Sequence, residues 1–254
     1  METPRFSVFE AIVYAFKTVL DNIRLFFFTA LAKLAFFFIF FGIFGIFSVG
    51  IFKKLWGQWP QLVELFKCDS IETCKASWEQ LSGTLSGLIT QYAIGLGIFV
   101  LVLIFLGIGI YLGFIRLVLK LHDTGSSSVK LLFSCFGLAP KALISTILYG
   151  LMVFVGFIAF IIPGIYLMLR GFFFPYFIVD KNAGIIDSIK RSFAITRGQV
   201  WPLFAISMIV PLMVKWGPAG IFILTPLMTV ALVYAYRKLS VEIVKSQEKI
   251  NVVR

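Results

Sequence analysis

Long apolar runs separated by short polar segments set the pattern of this chain. Runs at 25–52 and 92–119 each exceed the roughly 20 residues that a helix needs to cross a bilayer core. The apolar stretch 142–179 is too long for a single crossing. Pro163-Gly164 is its natural divider, because proline has no N–H for the helical ladder and glycine tolerates a turn. This gives spans at 142–162 and 165–179. Two further runs, 200–214 and 218–236, form a hairpin around Lys215-Trp216-Gly217-Pro218. The pattern predicts an all-α, polytopic membrane bundle of six transmembrane helices in a single domain over 1–254, with a frayed tail at 243–254.

The polar segments carry structure of their own. Ser7 followed by Glu10 is a capping-box pattern, in which each side chain satisfies a free backbone N–H at a helix start. Phe9, Ile12, Val13, Phe16, Val19 and Leu20 then recur at helical spacing, which predicts an amphipathic helix over 7–21 lying in the membrane interface. A second one is expected over 182–197, with Ile185, Ile186, Ile189, Phe193 and Ile195 as its apolar stripe. Residues 53–90 read as a polar loop, with Ser82-Gly83 and Ser86-Gly87 leading into the next span. Residues 120–141 read as a loop plus a short interfacial helix. Gly109 and Gly113, at GxxxG spacing, would admit a close-packed helix.

Composition agrees with lipid as the solvent. Hydrophobic residues make up 60% of the chain and charged residues 14%, against about 25% charged in soluble domains. Mean hydropathy is +0.99. The 30 phenylalanines are read as lipid-facing bulk rather than a ligand cage. A net charge of +11 invites a nucleic-acid reading. That reading fails, because the basic residues lie between apolar runs and not on one soluble domain. Lysine and arginine instead set orientation. With six spans, the N-terminus, 116–141, 181–197 and the C-terminus share the basic, cytoplasmic side. Lys53, Lys54, Lys67, Lys75 and Lys215 fall opposite, and 53–90 becomes extracytoplasmic. The first apolar run starts too late, and runs too long, for a cleavable signal peptide.

Candidate chemistry is sparse. No Walker loop, H-E-x-x-H or G-x-S-x-G is present, so no catalytic residue is assigned. His122 beside Asp123 could be half of an acid–base pair, but no nucleophile accompanies it. Three cysteines and one histidine make no metal site, and no cofactor is expected. Cys68 and Cys74 could pair as a disulfide if the 53–90 loop is oxidised; two free thiols fit the sequence equally well. Lys33 lies close enough to the start of its span for its stem to snorkel to the headgroups. Arg170 is harder to place, since it falls near the middle of span 165–179 and no span holds an Asp or Glu to meet it. Freed carbonyls near Pro163 or Pro175, the Tyr166 hydroxyl, water, or a lipid phosphate are its candidate partners. Arg170, with Lys190, Arg191 and Arg197, forms the candidate lipid- or anion-binding set.

Pro163-Gly164-Ile165-Tyr166-Leu167-Met168-Leu169-Arg170, then Phe174-Pro175-Tyr176, Val179-Asp180, Gly184, Lys190-Arg191-Ser192 and Thr196-Arg197-Gly198 form an ordered pattern. It resembles the membrane domain that precedes the catalytic domain in some glycerophosphoryl diester phosphodiesterases, and related bacterial inner-membrane proteins made of that domain alone. The resemblance implies a bacterial, six-helix domain in the cytoplasmic membrane. It does not imply phosphodiesterase activity, since the soluble barrel that carries that chemistry is absent. The expected function is therefore non-enzymatic, binding membrane lipids through anionic headgroups, with a membrane-protein partner or a second copy left open. A small transporter or channel for an anionic or lipid-like substrate is the alternative.

Overall fold

A computed structural model describes residues 7–57, 59–60, 63, 71–208 and 217–252. Its elements are helices, with no strand among the described residues. Four segments are long and apolar enough to cross a membrane: Ile23–Lys54, Cys74–Thr124, Val129–Ala159 and Ile161–Lys181. Span 200–214 runs partly onto residues outside the described set, and 218–236 lies within a described helix that is not one of these four.

The first helix, α1 (Val8–Asp21), starts where the sequence placed it. Ser7 is the N-cap, and its Oγ accepts the Glu10 N–H at 3.4 Å. The Glu10 carboxylate, expected to close the box, accepts from Lys238 Nζ at 2.9 Å. Asn22 ends the helix, its side-chain amide donating to the Thr18 carbonyl at 3.0 Å. The buried residues are the small Ala11 and Ala15, while Phe9, Phe16 and Leu20 stay exposed. Alanines thus make the protein contact, and the apolar stripe faces outward.

The chain falls into two compact units, 31–104 and the remainder. Within 31–104 lie most of α2 (Ile23–Gly57) and the first part of α3 (Ile71–Thr124). Phe40 and Phe44 both meet Phe99, at 4.5 and 5.6 Å, and Lys54 lies 5.7 Å from the Tyr92 ring. Rising numbers on one helix meet falling numbers on the other, so the two run antiparallel. None of the most apolar stretch of α2 is buried, so its phenylalanine surface needs an apolar solvent. The expected loop 53–90 is helical over 53–57 and 71–90. Ser82, Ser86 and Thr90 donate back to the carbonyls of Glu79, Gly83 and Ser86 at 3.0, 2.9 and 2.8 Å, which keeps their hydroxyls compatible with a helix. Cys68 lies outside the described residues.

The other unit holds the rest of the chain. After α3, two short 3₁₀ segments, Val129–Phe133 and Phe136–Leu138, lead into α4 (Ala139–Ala159). Gly109 and Gly113 do admit a close neighbour, but it is this segment rather than a helix partner. A Cβ on Gly113 would lie 2.0 Å from the Leu132 carbonyl oxygen, and one on Gly109 would meet the Phe136 ring at 2.3 Å.

From Phe160 the chain turns back as α5 (Ile161–Arg170). The break falls at Phe160, whose φ of −165° and ψ of 156° are extended, and not at Pro163-Gly164. Pro163 stands in the first turn of α5, where its missing N–H needs no partner. Gly164 packs against Gly156 and Phe157 across the hairpin. A second interruption at 171–173 precedes α6 (Phe174–Lys181), and Asn182, with φ of 49°, caps that helix in the left-handed region. Lys141 at the start of α4 reaches Asn182 Oδ1 at 2.7 Å. The 142–179 stretch therefore leaves one end and returns to it.

Next come α7 (Ile185–Ile195), an interruption at 196–199, α8 (Val200–Ser207) and α9 (Gly217–Val252). Of the stripe predicted for 182–197, Ile195 is buried and Ile189 packs against the core, but the most deeply buried side of α7 is polar. Ser188, Ser192, Thr196 and Gln199, spaced for one helical face, are fully buried, while Ile186 is 58% exposed. An aromatic core joins α6 to α9: Phe173, Tyr176 and Phe177 pack within 5.1–6.0 Å of the Tyr236 ring.

Candidate functional site

Two polar clusters stand out in this second unit, and each is organised by one arginine. The first is at Arg170, the last residue of α5. A Cβ on the next residue, Gly171, would lie 2.1 Å from the Tyr149 ring, so glycine is required for that ring to reach the interruption. Tyr149 Oη lies 2.7 Å from both the Leu167 and the Met168 carbonyl oxygens in the last turn of α5, where carbonyls run short of helical N–H donors, and Leu167 also accepts the Gly171 N–H at 3.2 Å. Tyr149 stands at the middle of the 21-residue α4, a helix roughly 31 Å long at 1.5 Å per residue. Arg170 therefore sits about halfway along a helix of bilayer length.

Its partners are one hydroxyl and one carbonyl. Arg170 Nη1 donates to Tyr166 Oη at 2.9 Å, and Nη2 donates to the Phe193 carbonyl oxygen on α7. The guanidinium lies over the Phe193 and Tyr166 rings at 5.0 and 5.5 Å, within cation–π range. Its Nε is buried without a hydrogen-bond partner. From the other side, Ser192 Oγ donates to the Arg170 carbonyl at 2.8 Å and accepts the Phe173 N–H at 3.1 Å. Thr196 Oγ1 adds contacts to the Arg170 carbonyl at 3.1 Å and the Ser192 carbonyl at 2.7 Å. The buried hydroxyl stripe of α7 thus supplies the backbone groups freed between α5 and α6. Tyr166 was foreseeable one turn away, whereas the Phe193 carbonyl was not, and it replaces the carbonyls expected near Pro163 and Pro175.

Lys190, Arg191 and Arg197 lie on the exposed side of α7. Arg191 Nε pairs with Asp187 at 2.8 Å, and Lys190 and Arg197 make no ion pair among the described residues. Arg170 turns inward to Tyr166 and Phe193, so the structure does not gather the four into one site.

The second cluster was missed by sequence reasoning. Arg237 on α9 grips Asp180 with two nitrogens at 2.9 Å each, a bidentate pair. Its Nε donates to Asp123 Oδ1 at 3.0 Å, and its Nη2 also reaches Asp123 Oδ2. Tyr236 Oη and Lys181 Nζ complete the surroundings of Asp180, at 2.9 and 3.5 Å. Burial opposes the charge on Arg237, but the hydrogen bonds from Asp180 and Asp123 outweigh it and hold its pKa above the usual arginine value. His122 lies 3.4 Å from Asp123, whose carboxylate is thus already engaged by Arg237. The signal available beforehand was three charged residues at span ends; their pairing across more than fifty positions was not legible.

Around this cluster the chain segments converge. Glu10 meets Lys238, Tyr14 packs on Tyr234 at 4.9 Å and near His122 at 5.6 Å, and Asp123, Asp180 and Arg237 are joined. An open cleft of about 270 Å³ adjoins them, lined by Arg116, Leu119, Lys120, Asp123, Thr124, Val179, Asp180 and Arg237. Among the described residues no group of His, Cys, Asp and Glu could hold a metal ion. No family model, curated protein or solved structure matches the chain.

Proposed function

We propose that the chain is a non-enzymatic integral membrane protein that binds anionic lipid headgroups at its cytoplasmic end. Six spans, with both termini in the cytoplasm, are part of this reading. The carrying observation is a charge imbalance at that end. Glu10, Asp123, Asp180 and Asp187 are each engaged by a basic side chain, whereas Lys190 and Arg197 are exposed and make no ion pair among the described residues. Each such charge near an anionic leaflet contributes about 1 kcal/mol. The outward stripe of α1 and the exposed Ile186 on α7 suit the same interface. The reading is tested by thermal unfolding of the full chain in nanodiscs of phosphatidylcholine with and without phosphatidylglycerol. The anionic lipid should raise the midpoint, and native mass spectrometry should retain it; equal midpoints and no retained lipid contradict the reading.

One observation favours transport as a second reading. Two interrupted helices, broken at 171–173 and 196–199, face each other through Ser192 and Thr196. Transporters use such breaks to turn backbone groups toward substrates. Here the groups are met by hydroxyls, which favours a sealed structure. Ser192→Cys should resist a water-soluble thiol reagent in folded protein; rapid reaction would move the assignment to transport.

A further inference from the structure

We propose that the cleft between the end of α3 and the α6–α9 contact is a phosphate-binding site, with Arg116 and Lys120 as its recognition pair. This deepens the lipid-binding reading above and rests on it for the source of the ligand. Arg116 and Lys120 are four residues apart on α3, so they project from one helix face with Cβ atoms about 6 Å apart. Both are exposed. Lys120 has no side-chain partner among the described residues, and Arg116 has only a long contact of 3.9 Å to Cys135 Sγ.

The cleft also contains two carboxylates, which would ordinarily suggest a cation. Their oxygens are already taken. Arg237 donates to both oxygens of Asp180 and both of Asp123, and Tyr236 and Lys181 add to Asp180. The charges left without counterions are therefore the two positive ones. The lining as a whole carries Arg116, Lys120 and Arg237 against Asp123 and Asp180, a surplus of one positive charge that suits a singly charged phosphodiester. Arg237 cannot turn to the ligand without abandoning two carboxylates, so it holds the floor while Arg116 and Lys120 bind. At about 270 Å³ the cleft falls below the range of drug-sized pockets and suits a headgroup. The half-buried Val179 gives it an apolar border. Arg116 offers a planar fork to two phosphate oxygens, and Lys120 adds a point charge.

Short-chain phosphatidylglycerol and inorganic phosphate, titrated separately against the full chain in neutral detergent and followed by thermal unfolding, test the proposal. The variants are Arg116→Gln/Lys120→Gln and, for comparison, Lys53→Gln/Lys75→Gln, two exposed lysines outside the cleft, each checked for an unchanged elution volume. Losing two surface cations should weaken binding roughly thirtyfold in the first variant. The second, which leaves the cleft and the basic side of α7 intact, should bind within about threefold of wild type. Arg116→Lys should bind better than Arg116→Gln. Binding by the lipid alone identifies a headgroup, and competition by phosphate identifies a free anion; either supports the site. Wild-type affinity in Arg116→Gln/Lys120→Gln overturns the cleft while leaving anionic-lipid binding intact. Phosphate binding that depends on the pair, with no response to the lipid, keeps the cleft and removes the lipid reading. No response of wild type to either ligand removes both.

Discussion

Arg170 and Arg237 show two ways of keeping a guanidinium inside a mostly apolar protein. Arg237 stands at the charged end and takes two carboxylates, a tyrosine-buttressed bidentate pair with Asp180 and a second pair with Asp123. Arg170, at the end of α5 and level with the middle of α4, takes a hydroxyl and a backbone carbonyl, and two rings cover it. The difference follows from solvent. At an open end a carboxylate retains some water, so pairing does not carry the full desolvation cost. Deeper in, a carboxylate would add a second charge penalty, while a carbonyl left over from an interrupted helix adds none. An arginine at bilayer depth costs at least about 2.5 kcal/mol. Hydrogen bonds to a charged group return about 1.5–3 kcal/mol each, so Arg170's two can offset that cost. The interruption at 171–173 frees backbone groups beside Arg170, and the one at 196–199 places Phe193 and Thr196 near the end of α7. Polarity in the two helices is thus mutually satisfying.

The largest effect is expected at Arg237. Arg237→Ala strands Asp180, which is only 13% exposed, and should cost about 3 kcal/mol in chemical or thermal unfolding. Adding Asp180→Asn should recover much of that loss, and simple additivity of the two changes would show that the pair is not coupled. Gly171→Ala should cost about 2 kcal/mol by driving Tyr149 from the interruption. Tyr149→Ala in the same chain should then make Gly171→Ala nearly neutral, and a persistent penalty would mean that the ring is not the obstacle. Arg170→Leu is a balance, with two hydrogen bonds lost against one charge penalty removed. A net loss of about 1 kcal/mol is predicted, equal with and without anionic lipid. A loss confined to the lipid-containing sample would make Arg170 a ligand contact rather than an anchor. Ser192→Ala, which removes one hydroxyl bridging Phe173 and Arg170, should cost about 1 kcal/mol, and an unchanged midpoint would detach the α7 stripe from the break. The smallest effect concerns Cys68 and Cys74, which we propose to be paired. Two fewer thiols should be alkylated before reduction than after, and three alkylated at once would exclude the bond.

The local features were the legible ones. The Ser7 cap, the helical run behind it, the apolar lengths and the Arg170–Tyr166 spacing all depend on residues within one or two turns. The break at Phe160 was not, because nothing in Ala159-Phe160-Ile161 disfavours a helix; the hairpin is set by glycine packing that brings Gly156 onto Gly164. Hydrophobic periodicity also read 182–197 only in part. It marked the isoleucine stripe as the apolar side of an interfacial helix and passed over Ser192 and Thr196, which are buried where their hydroxyls meet the interrupted backbone at 170–173. Those hydroxyls were visible at helical spacing, but their meaning depended on breaks located elsewhere. Counting lysines and arginines grouped Arg237 with the other residues between apolar runs and could not say which acids would hold it.

Sidedness is the premise on which the lipid reading stands, and cysteine labelling tests it most directly. In a chain lacking Cys68, Cys74 and Cys135, single cysteines at Glu79 and Ser126, both exposed, would be challenged with a membrane-impermeant maleimide on intact cells and again after permeabilisation. Glu79→Cys should label in intact cells, and Ser126→Cys only once the membrane is opened. Labelling of position 126 in intact cells, with position 79 protected, would place the Arg237 end outside and contradict the account.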